Sequence, residues 1–326
     1  MNSRERFNQT MRFGHPDRAP LFEEGVRDPV LDEWRAQGMP RRASLTRLFR
    51  FDRREEIAPD FYPRPALAKW PESIDELAGL RKSLDPADHA RLPARWQAHV
   101  RACRKRGDVV ILQVHEGFYL SMGVYDWRRF SEVNYLVADD PDFVRRMMSL
   151  YGEFAAQLAE KVLSQVQVDA ALFSEPIGGN HGPLISPRAY AGLVLPSYQP
   201  VFDVLARHGV EMVILRTYAN ARVLLPAALE RGVNCLWAVE GKSAAMDYLE
   251  LRKAFGRELR LIGGLDVEAL RRGKEAIARE VMSKAPPLLA QGGYMPLADG
   301  RVREGIPYED YRYYRRILED LVDQQR

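Results

Sequence analysis

Glu175 ends the apolar run 170–173 and is followed by a loop holding Gly178, Gly179, Asn180, His181 and Gly182. A carboxylate at the C-terminal end of a buried parallel strand stands where α/β folds bind ligands. There it can serve as a general acid or base, or as an ion-pair partner. His115 and Glu116 close a second run, 109–114, in the same way. A carboxylate beside an imidazole tunes its pKa, so these two suit an acid/base pair; a hydrogen-bonded structural histidine is the equal alternative. Arg216, Tyr218 and Asn220 follow a third run, and a guanidinium with a phenol suits an anion or a carbonyl. Glu240 ends a fourth run, while Asp299 and Arg301 follow the last. For that last pair an internal ion pair competes with substrate contact. Glu24 and Arg27 lie just after the short run Leu21-Phe22 near the start of the chain. His181 is either a lid contact or a solvated loop histidine. Glu175, His115 and Tyr218 are the predicted catalytic residues. Glu24, Arg27, Glu116, His181, Arg216, Asn220, Glu240, Asp299 and Arg301 are the predicted substrate-binding ones.

The elements that must hold these groups alternate. The strongest helix signal runs from Pro141 to Val166, where Phe143, Met147, Leu150, Tyr151, Phe154, Leu158 and Val162 form one apolar stripe. Strands are predicted at 21–22, 109–114, 168–174, 211–215, 234–239, 259–263 and near 293–297. Helices follow at 187–208, 222–231, 244–255, 267–285 and 307–324. Ser186 caps the first of these, with Pro187 in its first turn. This alternation means βαβ units and a parallel sheet. A count near eight without a linker predicts one (β/α)8 barrel domain over 1–326. A short helix is predicted at 3–12, and short helices near 29–37, 73–80 and 86–104 form an N-terminal helical elaboration placed over the barrel mouth. Glu24, His115, Glu175, Arg216, Glu240 and Asp299 should then converge on one pocket.

The chain has 326 residues, with 48 Lys and Arg against 45 Asp and Glu. This near balance, with the charges interspersed, leaves no electrostatic footprint for nucleic acid. Cys103 and Cys235 are far apart, which fits reduced thiols and a cytoplasmic setting. Cys103 reads as a helix face and Cys235 as strand core. No apolar run approaches membrane-spanning length, so no membrane partner is expected.

Six motifs occur in order: Gly14-His15-Pro16-Asp17-Arg18-Ala19-Pro20, Met122-Gly123, Gly182-Pro183-Leu184-Ile185-Ser186-Pro187, Leu261-Ile262-Gly263-Gly264-Leu265-Asp266, Gly292-Gly293-Tyr294-Met295-Pro296 and Ile306-Pro307-Tyr308-Glu309-Asp310-Tyr311. Together they resemble the uroporphyrinogen decarboxylase superfamily, which includes corrinoid- and thiol-linked methyltransferases. The resemblance implies a (β/α)8 barrel with its active site at the C-terminal strand ends, and homodimers are common in it. The decarboxylase's arginine-rich loop is replaced here by Glu23-Glu24-Gly25-Val26-Arg27-Asp28, and its late histidine by Ala298-Asp299-Gly300-Arg301. The zinc-dependent methyltransferases carry a His-x-Cys pair where this chain has Arg216 and Tyr218. A guanidinium cannot ligate zinc, so no metal ligand is assigned.

Three functions remain open. The first is a zinc-independent methyl transfer from a small-molecule donor to a corrinoid carried by a partner protein, with no tightly bound cofactor. The second is decarboxylation of a uroporphyrinogen-like or smaller acid, with Arg27, Arg216 and Arg301 holding carboxylates. The third is a non-catalytic binding or regulatory barrel. Asp266 reads as the N-cap of the helix after it.

Overall fold

The computed structural model describes residues 1–241 and 244–324. Among these, seven strands follow the chain: β1 (Arg54–Ile57), β2 (Val109–His115), β3 (Ala170–Glu175), β4 (Val213–Tyr218), β5 (Cys235–Val239), β6 (Arg260–Gly263) and β7 (Tyr294–Met295). Their order in the sheet is the chain order. The β2–β3, β3–β4, β5–β6 and β6–β7 pairs are parallel. The fold is therefore α/β with a parallel sheet, barrel-like in its strand–helix alternation. It has seven strands, not the eight of a closed (β/α)8 barrel. The predicted strand at 21–22 is not one. Its continuation makes a single parallel bridge, Val26 to Val302, because Pro20 has no N–H to donate and Gly25 turns the chain at φ +99°.

Chain contacts divide the molecule into two compact units, 55–106 with 110–234, and 1–54 with 107–109 and 235 onward. In the first, β3 is buried on both faces through Ala170, Ala171, Leu172 and Phe173, as its uninterrupted apolar run requires. Pro141–Leu163 is helical, with Asp140 accepting from the Phe143 N–H and the whole predicted stripe buried. Ser186 accepts from the Ala189 N–H, and Pro187 opens the next helix. That helix is broken by a π turn at Tyr190–Val194 before continuing as Leu195–Arg207. Pro196 has no N–H to return to residue 192, so the regular ladder cannot close there. The helix predicted at 86–104 begins only at Trp96. Pro86 and Pro93 punctuate the earlier part, and Arg95 has φ +60°.

In the second unit, β5 is buried throughout, with Cys235 in its core, and Cys103 in the first unit is equally buried. The segment predicted as one helix over 267–285 is a 3-10 turn, Val267–Arg271, followed by the helix Lys274–Gln291. Asp266 caps the turn by accepting from the Glu268 N–H. The Gly14–Pro20 motif is structural. Asp17 and Asp52 hold Arg6 at 2.7 and 2.5 Å, and Asp52 also holds Arg18 at 2.7 Å. The closing helix, Tyr308–Asp323, buries Tyr308, Tyr311, Tyr314 and Arg315. Arg315 pairs with the buried carboxylate of Glu23 at 3.3 Å. Among the described residues, no helix is long and apolar enough to cross a membrane.

Candidate active site

Parallel register fixes which way the strand-end groups face. Ser174 is the partner of Arg216, and Glu175 that of Thr217. Partners share a face and neighbours along a strand do not, so Glu175 and Arg216 stand at the same strand ends on opposite faces. Glu175 and Arg216 therefore do not meet as an ion pair. Arg216 instead binds Glu56 of β1 at 2.7 and 3.0 Å, and Glu240 binds Arg303.

Glu175 faces the helices and is fully buried. One carboxyl oxygen accepts the Phe118 N–H at 2.9 Å, and the other accepts the Tyr198 hydroxyl. The Tyr190 hydroxyl influences the same carboxyl, although it lies outside hydrogen-bond geometry. Burial pushes the Glu175 pKa up to about 7, and these donors only partly offset it. Gly117 permits the contact with Phe118. Its φ is +84°, and a Cβ there would meet Ser174 O at 2.5 Å and Glu175 Oε1 at 2.7 Å.

His115 shares this aromatic layer, with ring centroids 4.5 Å from Tyr198 and 6.2 Å from Phe173. Its Nδ1 accepts the Gly117 N–H at 2.9 Å, which leaves the proton on Nε2. Burial drives its pKa down to about 3, so the ring is neutral across the working range. The geometry is that of a packed structural imidazole, without the acid/base pairing to Glu116.

Glu116 turns elsewhere. Its side chain is half-buried, yet Oε1 is enclosed and has no hydrogen-bond partner. Burial first, and the charge of Asp60 second, raise its pKa to about 7. Tyr151, beside it in charge effect, also has an enclosed hydroxyl without a partner. Tyr218 is 38% exposed at the end of β4. The loop after β3 is fastened to β4's end. Gly179 N–H donates to Gly182 O at 2.7 Å, and Asn220 N–H to Gly179 O at 3.0 Å. His181 is exposed on this loop.

In the other unit, Asp299 is buried and accepts the Val267 N–H at 3.0 Å. Burial raises its pKa to about 6. Arg301 donates to Val26 O at 3.2 Å, so the expected Asp299–Arg301 ion pair is replaced by two backbone contacts. Arg27 is exposed, 3.9 Å from Glu304, and Glu24 is half-buried. Thus His115, Glu116, Glu175, His181, Arg216, Tyr218 and Asn220 belong to one unit, and Glu24, Arg27, Glu240, Asp299 and Arg301 to the other.

Sequence reasoning missed three rings. Tyr62, Trp70 and Tyr125 meet with centroids 5.3, 6.0 and 6.1 Å apart. Tyr62 and Trp70 lie in the long loop 58–73 and Tyr125 in a loop more than fifty residues on, so no spacing announces the trio. It also missed Glu56 as the partner of Arg216, although a visible Glu55-Glu56 pair lies inside the strand Arg54–Ile57.

Arg216 and Tyr218 do not fit a zinc site, because the guanidinium is a pure donor already spent on Glu56. A different set does approach metal-ligand spacing. The ligand atoms of Glu55, His99 and Cys103 all lie within 4.8 Å of one another. However, the Arg106 guanidinium donates to Cys103 Sγ at 3.1 Å, placing a positive charge against it.

No family model matches the sequence, and none of the curated proteins is similar enough to match. Among solved structures, a methyltransferase from Methanosarcina mazei shares the fold, with TM-score 0.65 and 12% identity. The match covers 98% of this chain and 99% of that one. At this identity the likeness is one of fold.

Proposed function

We propose that this protein is a divergent uroporphyrinogen decarboxylase-like barrel enzyme that transfers a methyl group, without zinc, from a small donor to a corrinoid carried by a partner protein. The observation that carries the reading is the full-length fold likeness to a methyltransferase. The Arg216–Glu56 pair at the strand ends speaks for zinc independence. Methyl transfer breaks the bond between the methyl carbon and a heteroatom, whose electron pair stays on the heteroatom. The methyl carbon bonds to the acceptor's nucleophile. Glu116, with a pKa near 7 and a free oxygen, either protonates the departing heteroatom or, when ionised, faces a cationic donor. Tyr218, exposed at the end of β4, supplies a donor for a carbonyl or carboxylate on the substrate. In this reading Glu175 and His115, facing the helices, position the strand ends.

Decarboxylation has less support. Arg216 is committed to Glu56, Arg301 to a backbone carbonyl, and Arg27 is exposed beside Glu304. The test incubates the purified protein with reduced cobalamin and a panel of methylated amines, methyl thioethers and aryl methyl ethers. Formation of methylcobalamin, followed by its visible spectrum, is the expected result. Release of carbon dioxide from a porphyrinogen carboxylate, with no methylcobalamin from any donor, would overturn it.

A further inference from the structure

Tyr62 and Trp70 lie in the loop 58–73 that follows β1, and Tyr125 in the loop before the helix Trp127–Asp139. The Tyr62 ring meets Trp70 and Tyr125 at 78° and 71°, and Trp70 and Tyr125 are inclined by 33°. With centroids 5.3–6.1 Å apart, a ligand above the trio lies within about 6 Å of all three, the range of cation–π attraction. The trio is open to solvent: Tyr62 is 37% and Tyr125 52% exposed.

Two buried arginines fix the loops that carry the rings. Arg91 donates to the carbonyls of Asp60, Tyr62 and Ser83. Arg129 donates to Met122 O at 3.1 Å and Pro71 O at 2.9 Å, tying the neighbours of Gly123 and Trp70 together. Trp70 lies flat on Gly123, where a Cβ would stand 2.1 Å from the indole. Rings held this way are preorganised, which lowers the entropic cost of closing on a ligand.

Negative charge adjoins them. Glu116 and Asp60 are the carboxylates whose charge reaches Tyr125. Asp60 is already paired with Arg64 at 2.5 Å, whereas Glu116 keeps an enclosed oxygen without a partner. We propose that Tyr62, Trp70 and Tyr125 form an aromatic cage which, with the Glu116 carboxylate beside it, binds a methylated ammonium cation. A primary ammonium has N–H donors that need acceptors, and the ring faces offer none of lone-pair strength. A methylated nitrogen spreads its charge over carbon and needs only the rings and one counter-ion.

As a methyl donor this cation deepens the methyl-transfer reading and rests on it for that role. The C–N electron pair would stay on nitrogen, the amine would leave neutral, and no proton donor would be required.

The test is calorimetric titration of the full chain with choline and with its neutral carbon isostere, 3,3-dimethylbutan-1-ol. Choline should bind saturably and the isostere at least roughly tenfold more weakly, since only the cation is drawn to the rings. Tyr125→Ala and Glu116→Gln, each checked for native circular dichroism, should weaken choline by a similar factor. Tyr135→Ala, an exposed residue on the helix Trp127–Asp139, should not. Equal binding of cation and isostere, unchanged choline affinity in Tyr125→Ala, or no saturable binding would overturn the cage. Cation binding without methyl transfer from any donor leaves the cage standing and removes the methyl-transfer reading. Methyl transfer without cation binding does the reverse.

Discussion

Arg216 clasps Glu56 through both guanidinium nitrogens, at 2.7 and 3.0 Å, at the position where the family resemblance puts a zinc-binding histidine. Both side chains are mostly buried, so the pair is screened little and each partner depends on the other. Glu56→Gln should cost about 1–3 kcal/mol, the range for a charged hydrogen-bonded group losing its partner. The double change Glu56→Leu with Arg216→Met should cost less than the sum of the singles. Urea unfolding of the four proteins measures this, and additive costs would mean the pair is not coupled.

The same pair sets the metal expectation. Elemental analysis of protein dialysed against chelator should find no zinc, and the melting temperature should not move on chelation. If one zinc per chain is retained, the expectation fails. Loss of that zinc in Cys103→Ser would then place it on Glu55, His99 and Cys103, and away from the strand ends.

Much of the architecture was legible because the signals are local. The stripe from Phe143 to Val162 repeats at helical spacing, and the short apolar run Ala170–Phe173, ended by a Gly-rich loop, fits a buried strand. Ser186-Pro187 announced a helix start that the structure keeps. Facing was not legible. Glu175 and Ser174 differ by one residue, and with a period of two that step alone separates the helix side of the sheet from the other. The register comes from long-range pairing with β4, which no spacing near residue 175 encodes. The cage is hidden for a related reason: Tyr62, Trp70 and Tyr125 are brought together by Arg91 and Arg129. The closed barrel was over-read because Leu21-Phe22 looks like a strand while Pro20 and Gly25 deny it a ladder.

Gly117→Ala tests how Glu175 is held. An alanine would adopt φ +84° at a cost and drive its methyl into Ser174 O and Glu175 Oε1. Strain of this kind costs about 1–3 kcal/mol. The Phe118 N–H would also be pulled off the carboxyl. Thermal unfolding should show the loss, and a variant as stable as the parent would mean the 116–118 turn relaxes freely.

Glu175 makes the stability depend on pH in a defined direction. Its folded pKa, about 7, lies above the ordinary 4.5, so the folded state holds this proton more tightly than the unfolded one. The contribution is fully present below about pH 4.5 and is lost as pH rises through about 7, on the order of 3 kcal/mol in all. Glu116, shifted the same way, adds to that slope. Glu175→Gln keeps the shape and an acceptor for Phe118 while removing the ionisation. Stability should therefore change little near pH 5 and rise relative to the parent near pH 8, read from urea midpoints at the two values. Turnover should fall only modestly if Glu175 positions the strand ends. A loss of roughly a hundredfold with unchanged melting would make it a catalytic acid instead. A parent protein whose stability is flat between pH 5 and 8 would refute the buried, proton-holding carboxyl altogether.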